Sequence, residues 1–118
     1  MGLMDRAFGA DKHTLASHRL SIFWDAAKIR FTEHKSLCKS KSDIAKCEKL
    51  IAICDDVKSE IVSAKKGFGV FDYDVNGINS YMDQVAELVG DLDTKLTEPE
   101  KVAILFVETS NILNRKYR

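Results

Sequence analysis

Asp43-Ile44-Ala45-Lys46-Cys47-Glu48-Lys49-Leu50-Ile51-Ala52-Ile53-Cys54-Asp55-Asp56-Val57-Lys58-Ser59-Glu60-Ile61-Val62-Ser63-Ala64-Lys65 is the stretch that decides the fold. Ile44, Cys47, Leu50, Ile51, Cys54, Val57, Ile61 and Ala64 recur at three- and four-residue steps. That spacing keeps them on one face of an α-helix and scatters them over both faces of a strand. Ser40 or Ser42 is placed to cap this helix, because a hydroxyl can accept from an exposed backbone N–H. Gly67 and Gly69 are placed to end it by supplying a left-handed residue.

Three further helical segments lie on either side. The first runs from Asp11 or Thr14 to Lys35, with Leu15, Ile22, Phe23, Ala26, Ala27 and Arg30 as its stripe and Leu20, Trp24 and Phe31 widening it. Before it, Leu3 to Phe8 reads as one short helical turn stopped at Gly9. The third segment spans Gly77 to Leu92, with Ile78, Tyr81, Met82, Val85, Leu88, Val89 and Leu92 on one side and Gly90 weakening its last turn. The fourth opens with Thr97-Glu98-Pro99-Glu100, where Thr97 and Glu100 match a capping box and Pro99 suits a first turn. Its inward face is Val102, Leu105, Phe106, Thr109, Ile112 and Leu113, and Ala103, Ile104 and Val107 carry apolar character almost all round.

One proline and six glycines in 118 residues favour long helices, and no segment keeps a two-residue alternation. The expected fold is all-α: an antiparallel four-helix bundle over 1–118 as a single domain, with helices about 11–35, 43–65, 77–92 and 98–115 and little or no sheet.

The formal charge is zero but unevenly spread. Residues 67–100 carry eight acids and one base, and residues 28–49 carry seven bases and three acids, which predicts an acidic end and a basic end. Cys47 and Cys54 lie seven residues apart on one helix, about 10.5 Å, too far for a disulfide. An odd count of three cysteines without a signal peptide points to a reducing, cytoplasmic setting. The longest strictly apolar run, Val102 to Val107, is far short of a membrane span, and Arg6 stands where a myristoylation signal wants Ser or Thr.

The stretch Asp72-Tyr73-Asp74-Val75-Asn76-Gly77-Ile78-Asn79-Ser80-Tyr81-Met82-Asp83 puts oxygen ligands at positions 1, 3, 5, 9 and 12, with Gly at position 6. This spacing resembles an EF-hand calcium loop. The resemblance covers residues 68–89 and implies Ca2+ as a cofactor, held by Asp72, Asp74, Asn76, the Ile78 carbonyl, Ser80 through water, and Asp83. Asp83 replaces the usual Glu, Asn79 replaces a branched apolar residue, and no second loop of this pattern follows. The same residues also read as an ordinary helix–loop–helix in which Asp74 or Asn76 caps the third helix.

Other constellations read as packing. His34 and Cys38, four apart, suit a surface histidine beside a half-buried cysteine better than the start of a zinc site, which needs more ligands. Cys47 and Cys54 sit on the apolar stripe as small hydrophobes. Trp24, Phe23 and Phe31 beside Lys28 and Arg30 resemble a base-stacking surface, yet they fit helix-core periodicity and the chain is not basic. Phosphate-loop, zinc-protease, serine-hydrolase and Cys-x-x-Cys motifs are absent. The functional expectation is a non-catalytic helical protein that binds another macromolecule, as an adaptor, an inhibitor or a small regulatory subunit. Its candidate partner surfaces, for a second protein or a homodimer, are Ile104, Phe106 and Val107 on the fourth helix and the acids Asp91 and Asp93. The alternatives are the cation-binding loop and nucleic-acid binding through the basic region 28–49.

Overall fold

The structure, a computed structural model, describes residues 12–67 and 70–114. The short turn expected at Leu3–Phe8, Gly69 and the basic tail lie outside them. The described chain is mostly helical: α1 (Lys12–Leu37), α2 (Lys41–Ser63), β1 (Lys65–Gly67), β2 (Val70–Asp72), α3 (Val75–Gly90) and α4 (Glu100–Leu113).

Helices α1 and α2 form an antiparallel hairpin across the short link 38–40. Ser40 is the N-cap of α2: its backbone is extended, and its hydroxyl accepts from the Asp43 N–H at 3.1 Å. A ladder of ion pairs fixes the register, Lys35–Glu48 at 3.8 Å, Lys28–Asp55 at 2.8 Å and Lys58–Asp25 at 2.7 Å. The buried face of α2 is Cys47, Leu50, Ile53, Cys54, Val57 and Ile61. Helix α3 packs on α2, and α4 packs on α1. The ion pairs Arg19–Glu108 and Arg30–Glu98 run α4 antiparallel to α1.

The core face of α1 differs from the expected stripe. Ala16, Leu20, Trp24, Phe31 and His34 are buried, whereas Leu15 and Ile22 are 55% and 51% exposed. The helix is apolar on more than one side, so periodicity alone does not select a face. Burying Trp24 and Phe31 in full, with Phe23 partly covered, removes a large apolar area from water. His34 is likewise a core residue, 4% exposed, and not a surface one.

Two ends also differ. Helix α2 stops at Ser63 with Ala64 extended, so Gly67 does not end it but sits in β1. Strands β1 and β2 pair antiparallel, Lys65 with Asp72, Lys66 with Phe71 and Gly67 with Val70, which agrees with the expectation of little or no sheet. Three residues per strand are too few for a two-residue alternation to register in the sequence. Helix α4 starts at Glu100 with Pro99 as a helical N-cap residue and no side-chain cap, so the Thr97/Glu100 box does not form. The Glu98 and Pro99 carbonyls accept from the Lys101 and Val102 N–H groups instead.

Candidate functional site

Residues 72–83 are not an extended loop. Asp72 ends β2, and Val75 to Asp83 are already in α3. Asp74 is the N-cap: its Oδ1 accepts from the Gly77 N–H at 3.0 Å, and its carbonyl accepts from the Ile78 N–H at 2.9 Å. A Cβ at Gly77 would lie 2.8 Å from the Asp74 Cγ, so a larger residue there would displace the capping carboxylate. The Ile78 side chain is buried in the core, while Asp72, Asp74, Asn76, Ser80 and Asp83 are exposed. Helical backbone from Val75 onward spreads Asn76, Ser80 and Asp83 along a rod instead of wrapping them around one point. Among the described residues no three His, Cys, Asp or Glu side chains stand together as metal ligands.

The acidic and basic segments meet instead of forming opposite ends. Asp43 opens α2, and its carboxylate accepts the N–H groups of Asp93 and Thr94, both at 2.9 Å. His34 Nε2 donates to the Thr94 carbonyl at 2.7 Å, which fixes the tautomer with its proton on Nε2. Lys46 Nζ donates to the Asp91 carbonyl at 3.0 Å. Asp43 is 1% exposed, and the Thr94 and Asp93 N–H groups hold its carboxyl below the usual carboxylate range. This clamp ties the α3–α4 link, and with it Asp91 and Asp93, to the α1–α2 turn; both acid side chains stay exposed. Its signal in the sequence was faint, since a carboxylate in a first helical turn is ordinary.

Trp24 and Phe31 are fully buried, so neither offers a ring to a nucleobase. Lys28, Arg30 and Lys35 of the basic region are in ion pairs with Asp55, Glu98 and Glu48. The three cysteines are free and buried. Cys38 and Cys47 sulfurs are 3.9 Å apart, and burial pushes the Cys47 and Cys54 thiols up to about 12, so both are protonated at neutral pH.

The feature that periodicity missed is a groove between α1 and α4 of about 260 Å³. Phe23, Ala27, Phe31 and Leu105 line it with Ala26, and Arg30, Lys101 and Ile104 complete its wall. Ile104 and Val107 are 56% and 59% exposed on the outer side of α4, while Phe106 is half-buried against the core. Arg30 and Lys101 both reach Glu98, at 2.8 and 3.6 Å, which holds its carboxyl below the usual range, Arg30 contributing most. Every fully buried side-chain N or O among the described residues has a partner, so no orphaned polar atom marks a second site. No described helix is long and apolar enough to cross a membrane. Comparison with protein-family models, curated proteins and solved structures finds no match for this chain.

Proposed function

We propose that this chain is a non-catalytic interaction protein, an adaptor, inhibitor or small regulatory subunit, whose helices act together as an antiparallel four-helix bundle. The observation that supports this reading is the outer side of α4. Ile104 and Val107 stand more than half exposed beside an apolar groove whose wall already includes Ile104. Apolar side chains left together at a groove favour a partner that removes them from water, at roughly 25 cal/mol per Å² of area covered. Phe106 supports this face from below and is not itself the contact. The acids Asp91 and Asp93 would act at longer range, by speeding encounter with a basic partner.

Capture with Ile104→Asp and Val107→Asp variants tests it. A partner retained by the natural chain is lost from both variants while their circular dichroism is unchanged. Retention by both variants removes α4 as the binding face.

A further inference from the structure

Four of the large apolar side chains left exposed belong to α1: Leu15 at 55%, Ile22 at 51%, Ile29 at 60% and Leu37 at 60%. They fall on one stripe, because α1 is a 26-residue helix and spacings of three, four, seven and eleven return to the same face. The stripe is centred on Ala26. Leu15 and Leu37 lie eleven residues either side of it, Arg19 and Glu33 seven, Ile22 and Arg30 four, and Phe23 and Ile29 three. It runs about 33 Å at 1.5 Å per residue.

We infer that this face of α1 is where a second copy of the chain docks, antiparallel, about a two-fold axis at Ala26. A two-fold antiparallel pair sets against each other residues at matching heights either side of the axis that lie on the same flank of the face. Leu15 then meets Leu37 of the second copy near the centre line, and Ile22 meets Ile29 on one flank. On the other flank Phe23 packs along the aliphatic stem of Arg30, whose guanidinium stays with Glu98. The small Ala26 at the axis lets the two helices approach to the 8–10 Å of ordinary helix packing.

The charges select this direction. Arg19 and Glu33 are opposite in sign and equidistant from Ala26, so antiparallel docking makes two Arg19–Glu33 pairs. Parallel docking would set Arg19 on Arg19 and Glu33 on Glu33. Arg19 is already held in place, 3.2 Å from Glu108 and with its guanidinium 5.9 Å from the centre of the Phe23 ring. Leu15, Ile22, Ile29 and Leu37 on this stripe are left exposed by the chain's own packing. The ion pairs of Lys28 and Lys35 mark the side of α1 facing α2, and those of Arg19 and Arg30 mark the edge facing α4. This goes beyond the α4 reading, since it names a partner and a different helix.

Sedimentation equilibrium over a range of concentrations tests the inference. The natural chain is expected to reach about twice the 13.3 kDa of one copy, and Ala26→Glu and Ile29→Asp, both at exposed positions, to remain at one. Arg19→Glu alone and Glu33→Arg alone should each raise the dimer dissociation constant about tenfold, two exposed pairs being turned into repulsions. The double variant R19E/E33R should restore it. A parallel dimer, in which the single changes only replace one like-charge contact by another, predicts no such rescue. A natural chain that stays at one copy at every concentration overturns the inference and leaves the α4 reading to its own capture test. A dimer that survives Ala26→Glu but dissociates with Ile104→Asp also overturns it, and moves the interface to α4.

Discussion

Trp24 brings one polar atom into the centre of the core. Its indole N–H donates to the Thr109 hydroxyl at 3.0 Å, and that hydroxyl donates in turn to the Leu105 carbonyl at 2.7 Å. Both residues are fully buried, so this relay joins α1 to α4 at a point where water cannot substitute. Thr109→Val keeps the shape and removes the acceptor, leaving the indole N–H unsatisfied. The expected cost is about 1–3 kcal/mol in chemical denaturation, and Thr109→Ser should recover most of it. A Ser variant that recovers nothing relative to Val would mean that restoring the hydroxyl does not restore stability, and the hydrogen bond would not account for the effect. Thr109 on the inner face of α4 was readable from its spacing. Its pairing with Trp24 was not, because the partners are 85 residues apart and nothing local links them.

At the scale of the element, α2 and α3 were legible because their apolar residues lie on one clear stripe bordered by charge. Helix α1 was not, because Leu15, Ile22 and Ile29 continue the apolar pattern onto a face the chain itself leaves open. The α1–α4 groove was invisible for a related reason: it belongs to two helices at once. The 72–83 stretch had two readings, and the hydrogen bonds are those of the capped helix. An Asp carboxylate, a Gly and a run of polar residues serve a helix start as well as a cation loop. Asp74→Ala should therefore destabilise by about 0.5–2 kcal/mol, the usual range for a lost cap. Millimolar Ca2+ should leave the melting temperature of chelator-stripped protein unchanged. A Ca2+-specific rise that Asp72→Ala abolishes would mean that the first turns of α3 unwind around the ion, and the cation reading would then lead.

For the molecule as a whole, the four helices are not equally secured. Helix α2 is flanked by α1 and α3, whereas α4 rests on α1 and reaches the rest of the chain through a nine-residue link. The Asp43 and His34 clamp on Asp93 and Thr94 holds that link down. Amide hydrogen exchange should show the central amides of α2 opening only with global unfolding, and those of Glu100–Leu113 opening at lower free energy. Asp43→Asn supplies one acceptor where two N–H groups need one each, so it should speed exchange in α4 while the α1–α2 hairpin keeps its protection. The same clamp sets a pH dependence. The folded carboxyl titrates below its unfolded value of about 3.9, so its contribution is fully present above that value and is lost as pH falls through the folded one. Between neutral pH and pH 3 the natural chain should therefore lose melting temperature more steeply than Asp43→Asn. Parallel acid profiles for the two proteins would mean that other carboxylates govern acid unfolding. Equal exchange rates in α2 and α4 would mean that the helices open as one unit, with the clamp too tight to distinguish.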